Sequence, residues 1–213
     1  MIGKHRMNAR MAKTEFPAAI KSRPTYGVLE YRPGAAHLVV ADGEGAGAVV
    51  DLVTAAAAEF RAHLHILYMP GPTGVDDSAA LMGLGAAQFY RAPTYAAALP
   101  RLRHVLANAH MGTQFYLTGT EGLIGQAEQE IMQTGFPHSA IQKEHRGSTL
   151  RRVQCVHCKG ITENVALDPF VCGHCGLHLF VRDHYSRRLA AFQGVNIDAE
   201  DKGRLPTPVE RFR

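Results

Sequence analysis

The sequence predicts an α/β fold: a mainly parallel sheet with flanking helices, joined to a small C-terminal four-cysteine, ribbon-like module. Three observations predict it. Between His37 and Gly147, short apolar runs alternate with stretches of helical spacing, the pattern of βαβ units. All four cysteines then fall in one short segment, as two Cys-x-x-Cys pairs. The composition, 46% hydrophobic and 20% charged over 213 residues, leaves room for one medium domain and a small module.

The elements follow in order. HLVVA reads as a buried strand and runs into the glycine-rich turn DGEGAG. AVVDLVTAAAAEFRAH has helical spacing, with Val49, Leu52, Val53, Ala56, Ala57 and Phe60 on one face. HLHILYM is a second strand, followed by the Gly/Pro loop PGPTGVDDS, a short helix in SAALMGLG and a third strand in AAQFYRA. TYAAALPRLRHVLANAH is a helix interrupted or bent at Pro100. TQFYLTG is a strand, TEGLIGQAEQEIMQTG a helix ended by Gly135, and AIQKEH a last short strand. This divides the chain into an N-terminal extension (1–36), an α/β domain (37–147) and a metal-binding domain with its tail (148–213). The extension contains Pro17, Pro24, Pro33 and Gly34 and room for one edge strand, TYGVLEY.

The formal charge is +4, with the excess toward the two ends of the chain. Lys4, Arg6, Arg10 and Lys13 make the N-terminal segment basic, as a frayed tail, a docking arm or a transit-peptide mimic. It lacks the apolar core of a secretory signal, and the chain has no long uninterrupted apolar run. No membrane partner and a cytoplasmic location are therefore expected.

The cysteines are spaced Cys155-x2-Cys158-x13-Cys172-x2-Cys175. Each pair can form a tight knuckle, and two facing knuckles make a tetrahedral four-sulfur cage for one mononuclear ion. Gly160 and Gly176 follow the pairs, where such turns favour positive φ. Four thiolates suit zinc and also a single iron. Haem attachment would need a histidine after Cys-x-x-Cys, whereas Lys159 and Gly176 stand there. His157 and His174 occupy matching positions inside the knuckles, as exposed residues or as N–H donors toward sulfur. Beyond the cage, HLFV closes the ribbon. A helix capped by Asp183 or Ser186 is expected next, with Leu189, Phe192 and Val195 inward and Arg187 and Arg188 outward. His63 and His65, Asp76 and Asp77, and His184 read as packing or surface residues, and no acid–base pair or activated nucleophile is evident. No catalytic and no cofactor-binding residue is assigned besides the four metal ligands.

The block from CVHC through CGHCGLHLFVRDHYSRRLAAFQGV resembles the C-terminal domain of the small, third subunit of bacterial dimethylamine monooxygenase. That resemblance implies a subunit of a multi-component, NADPH- and O2-dependent enzyme that N-demethylates dimethylamine to methylamine and formaldehyde. It implies two partners, a haem-bearing subunit and a flavin/iron–sulfur reductase subunit, which carry haem, flavin and cluster. This chain's own contribution would be the iron or zinc ion held by its cysteines.

A second resemblance covers FYLTGTEGLIGQAEQEIMQTGFPHSAIQKEHRGS, which is similar to the last strand–helix–strand of the NAD(P)-binding half of ferredoxin reductases. Thr118-Gly119-Thr120-Glu121 replaces that family's Cys-Gly-Pro-type turn, and Glu144 stands at its acidic position. A pyrophosphate needs backbone N–H groups at a helix start, free of competing anions. Asp42 and Glu44 flank the glycines here, where a carboxylate would cap the helix and repel phosphate, so a docking scaffold that has lost its nucleotide is expected. Two alternatives belong to other classes: a zinc-ribbon adaptor binding nucleic acid or protein, and a free-standing NAD(P)H reductase. No reader motif for nucleic acid is present, and no nucleic-acid partner is expected.

Overall fold

The computed structural model describes residues 22–71, 74–200, 202–203 and 205–213. The basic N-terminal segment lies outside them. Five parallel strands form the first sheet: β1 (Ala36–Asp42), β2 (Leu64–Met69), β3 (Gln88–Arg91), β4 (Thr113–Gly119) and β5 (Ile141–His145). Their spatial order is β3-β2-β1-β4-β5, so the order of winding reverses between β1 and β4. The helices are α1 (Gly45–Ala55), α2 (Ala58–Ala62), α3 (Ser78–Met82), α4 (Tyr95–Ala107) and α5 (Glu121–Gln133).

Strand β1 is central and reads as a continuous apolar run because both its faces are covered. Leu38 and Val40 join Leu67, Phe115 and Leu117 under Leu102 and Leu106 of α4 and Ile124 and Ile131 of α5. Val39 and Ala41 join Ile66, Tyr68 and Tyr116 under Val49, Leu52 and Val53 of α1 and Leu81 of α3. At about 1.5–3 kcal/mol for each fully buried large apolar side chain, these two layers are what holds the sheet together. Thr94 and Thr120 cap α4 and α5: each hydroxyl accepts the N–H three residues on, at 3.3 Å.

Three local expectations change. The helix predicted through residues 48–63 stops at Ala55 and restarts at Ala58, with Ala56 and Ala57 extended. The break sets Phe60 into the core, 4.6 Å from the His37 ring centroid, so packing overrides the helix propensity of four consecutive alanines. Helix α4 runs through Pro100 without interruption. Pro100 lies on the exposed face, as does Ala96, whose freed carbonyl can face water. TYGVLEY forms no ladder strand. It straps along β5 through Gly27 N–H to Lys143 O (2.8 Å), Leu29 N–H to Glu144 Oε2 (2.7 Å) and Glu30 N–H to Gln142 Oε1 (2.9 Å).

The second sheet is built from β6 (Arg151–Cys155), β7 (Ile161–Val165), β9 (Phe170–Val171), β10 (His178–Ser186) and β11 (Ala191–Asn196), ordered β7-β6-β11-β10-β9. A two-stranded ribbon pairs β8 (Leu167–Asp168) with β12 (Val209–Glu210). The helix expected after HLFV does not form; β10 and β11 are an antiparallel hairpin turned at 187–190. Tyr185 and Phe192 stack at 5.1 Å between centroids and both enter the module's core, which a period of two satisfies and a helix would not. Leu189 and Val195 are only half-buried, Arg187 and Arg188 occupy the exposed turn, and Asp183 pairs with Arg151 and Arg23 instead of capping a helix.

Candidate metal centre

The four cysteines converge. Their sulfurs all lie within 4.8 Å of one another, with Cys155–Cys175 and Cys158–Cys172 each at 3.8 Å. A tetrahedron with metal–sulfur arms of about 2.3 Å has edges of about 3.8 Å, so the donor set fits one tetrahedral ion. Cys155 ends β6 and Cys172 follows β9, and both are buried, whereas Cys158 and Cys175 are half-buried on the outer turns. In each knuckle a backbone bond closes the loop: Lys159 N–H to Cys155 O and Gly176 N–H to Cys172 O, both 3.0 Å. Gly160 N–H points at Cys158 Sγ, 3.4 Å away.

The thiols influence one another strongly. Against burial, which alone would raise it, the backbone N–H groups of His174 and Cys175 bring Cys172 down to about 7. Against the lowering N–H of Leu177, desolvation and the neighbouring sulfurs push Cys175 up to about 12. Four sulfurs this close cannot all ionise without a cation among them, and the group could hold a metal ion.

The glycines have roles other than those expected. In the second knuckle Gly176 does take positive φ, +73°, but in the first it is Lys159, at +64°. Gly160 is needed for space: a Cβ there would fall 2.5 Å from Cγ and Cδ2 of His174. The His174 ring bonds the carbonyl of Ile161 through Nε2 at 2.8 Å, so it clasps one knuckle to the other, and His157 is exposed. Thr162 Oγ1 adds a 3.5 Å contact to Gly173 N–H.

Arg151 fixes the module beside its junction with the α/β unit. Its guanidinium carbon sits 3.9 Å from the Phe192 centroid and 4.2 Å from that of Phe212, and Nη1 meets Asp183 Oδ1 at 2.9 Å. The units touch where Gly125 of α5 admits the Tyr185 hydroxyl and where Gln129 Nε2 donates to Arg188 O at 2.7 Å. No spacing in the sequence signals either arrangement, since the partners are far apart along the chain.

The glycine turn lies at the crevice between the carboxyl ends of β1 and β4, where open α/β sheets bind ligands. Here Asp42, which is buried, reaches across it: Oδ1 accepts Thr120 N–H and Oδ2 accepts the Thr120 hydroxyl, both at 2.7 Å. Burial raises the pKa of Asp42 above the usual carboxylate range, and Thr120 partly offsets that. Asp42 therefore serves α5, and Glu44 makes no side-chain cap on α1, contrary to the capping role expected for this turn. The Glu44 carboxylate lies against Gly147, where a Cβ would come within 2.3 Å of Oε2. Glu144 accepts Leu29 N–H at 2.7 Å and Arg146 Nε–H at 2.6 Å. Asp76 pairs with Arg91 at 2.7 Å on the surface.

The molecule thus joins a parallel α/β unit to a small β module that gathers four cysteine sulfurs. The chain belongs to the dimethylamine monooxygenase subunit DmmA-like family: the N-terminal domain model of that family matches residues 18–141 and the C-terminal domain model residues 152–195. It is 30% identical over 99 residues to the heme-dependent oxidative N-demethylase delta subunit of Ectopseudomonas mendocina, a match over 46% of this chain and 57% of that protein. This chain therefore spans little more than half the length of that relative. Among solved structures, a phthalate dioxygenase reductase, titled as a modular structure for electron transfer from pyridine nucleotides to [2Fe-2S], matches 68% of this chain and 47% of its own (15% identity, TM-score 0.45). An intact type IV self-sufficient cytochrome P450 monooxygenase matches 78% of this chain and 21% of its own (18% identity, TM-score 0.41). Among the described residues, no helix is long and apolar enough to cross a membrane.

Proposed function

We propose that this chain is the metal-bearing, non-catalytic subunit of an NADPH- and O2-dependent dimethylamine monooxygenase that releases methylamine and formaldehyde. Its partners are a haem-bearing subunit and a flavin/iron–sulfur reductase subunit, and the assembly works in the cytoplasm. The observation that carries this reading is the four-sulfur cage in a chain of this family. Cys155, Cys158, Cys172 and Cys175 hold one ion, iron or zinc. Iron would supply a one-electron Fe(III)/Fe(II) couple, whereas zinc would hold the ribbon's shape only. The N–H of Gly160 and those serving Cys172 and Cys175 offset the negative charge of the thiolates.

The α/β unit, residues 37–147 after an N-terminal extension and before the metal-binding part (148–213), serves as the docking scaffold. Asp42 supports this reading. Its carboxylate occupies the mouth of the crevice, so a dinucleotide pyrophosphate there would meet an anion. The test is a complex reconstituted with Cys172→Ser in this chain. Metal analysis should show the ion lost, and formaldehyde release from dimethylamine should fall more than tenfold. Undiminished turnover by a metal-free complex would overturn the proposal.

A further inference from the structure

Helix α5 and the turn of the β10–β11 hairpin flank a groove of about 300 Å³. Glu128, Gln129 and Met132 line it from α5, Arg187 and Arg188 line it from the turn, and His138 completes the lining. The α/β unit and the cysteine module therefore build it together, and the 2.7 Å bond from Gln129 Nε2 to Arg188 O ties the two walls.

The groove is cationic. Arg187 and Arg188 are both exposed. Among the described residues, the one carboxylate in the lining is Glu128, which is buried and engaged: Lys143 Nζ donates to its oxygens at 2.9 and 3.0 Å, and His138 Nε2 lies 2.8 Å away. Asp183, four residues before Arg187, is held by Arg151 and Arg23. Neither acid is available to cancel the two guanidinium charges. The carbonyl end of α5 brings about half a negative charge, less than one guanidinium. Beside the arginines, Met132 keeps 43% of its surface exposed, on a helix whose other face, with Ile124, Ala127 and Ile131, is packed into the sheet. A flexible thioether of this kind adapts to apolar groups of many shapes.

Two fork-shaped cations beside an adaptable apolar side chain match a protein segment that carries carboxylates around an apolar residue. The N-terminal segment of this chain has the wrong charge for the role: residues 1–21 hold Lys4, Arg6, Arg10, Lys13 and Lys21 against Glu15. We propose that the groove docks an acidic segment of a partner subunit, whose carboxylates meet Arg187 and Arg188 and whose apolar side chain lies on Met132. The proposal rests on the reading of this chain as one subunit of a larger complex.

The experiment measures binding of the full chain to the purified haem-bearing and reductase subunits in turn, by interferometry. The chains compared are wild type, Arg187→Glu/Arg188→Glu, Arg187→Lys/Arg188→Lys, Met132→Gln and Arg61→Glu. At least one subunit should bind the wild type. Charge reversal should weaken that binding at least about tenfold, and the lysine pair should retain most of it. Met132→Gln should cost severalfold, whereas Arg61→Glu, on α2 and outside the groove, should cost nothing. Going from about 0.1 to about 1 M salt shortens the screening length from about 10 to about 3 Å, so the gap between wild type and charge reversal should close. Equal thermal unfolding and metal content show that a variant is folded. Should charge reversal upset folding, Met132→Gln decides, and unchanged affinity there would overturn the proposal. Wild-type affinity in a folded charge-reversal variant, or an equal loss in Arg61→Glu, would overturn the docking site and leave the subunit reading standing. No binding of the wild type to either subunit would overturn both. A charge-reversal variant that keeps its subunit and loses only self-association or an oligonucleotide would overturn the proposal in favour of a second copy or a nucleic acid.

Discussion

Gly160→Ala isolates what the clasp between the knuckles contributes to the candidate metal centre. The new Cβ would lie 2.5 Å from Cγ and Cδ2 of His174 and 2.9 Å from its Cβ. These are atoms near the root of the side chain, which cannot swing away as a flexible tip would. The ring must shift, and its 2.8 Å bond to Ile161 O is lost. Overpacking of this kind costs about 1–3 kcal/mol, and a lost hydrogen bond about 1. A cost of about 2 kcal/mol, if it falls on the folded, metal-binding state, is about thirtyfold in affinity for the ion. The assay is competition against a chelator of known affinity, for wild type, Gly160→Ala, His174→Ala and the double variant. His174→Ala alone should lose severalfold, and in the double variant most of the Gly160→Ala penalty should disappear, because the two nearest atoms are gone. Additive penalties in the double variant, or wild-type affinity in Gly160→Ala, would refute the clasp.

Other outcomes follow from the same structure. Arg151→Ala should destabilise the module by about 2–4 kcal/mol in urea unfolding, since it removes a guanidinium held between Phe192 and Phe212 and leaves Asp183 with Arg23 as its remaining cation. Gly125→Ala should not give the roughly 1 kcal/mol that alanine normally adds to a helix, because its Cβ would meet the Tyr185 hydroxyl at 2.2 Å; pairing it with Tyr185→Phe should recover part of that gain in thermal unfolding, since Ala190 Cβ stays at 3.1 Å. Asp42 has a folded-state pKa raised by burial, so its contribution is greatest below the ordinary carboxylate value of 3.8 and is lost as pH rises through the folded value. Stability of the wild type relative to Asp42→Asn should therefore decline across that window and level off above it; a difference independent of pH would contradict this. Removing the ion with a chelator should lower the melting temperature of the cysteine module more than that of the parallel sheet.

Much of this was legible in the sequence where the signal is local. The alternation of HLVVA, HLHILYM and TQFYLTG with helical stretches predicts the parallel sheet because both faces of each central strand are buried, leaving unbroken apolar runs. The Cys-x-x-Cys spacing predicts the cage because a knuckle is a short-range turn. What could not be read depends on distant partners. HYSRRLAAF has passable helical spacing, and only the stacking of Tyr185 on Phe192 and of Arg151 beneath it makes it a hairpin. The charges of Asp42 and Glu44 were visible beside the glycines, but the target of Asp42, Thr120, is 78 residues away.

The arrangement around Arg151 also sets an order in time. One of its two aromatic covers, Phe212, comes well after the last cysteine in the chain, and Thr149 Oγ1 accepts Arg213 N–H at 2.9 Å. The pieces of the parallel sheet, in contrast, are all made by His145. During synthesis, domains tend to fold as units from the N-terminal side. The sheet can therefore consolidate while the cysteines are still emerging, but the module gains its final clamp only once Phe212 has been added. Between those moments the four thiols are present without their full enclosure, which makes the newborn chain the state most open to whatever ion the cage can take, the wrong one included.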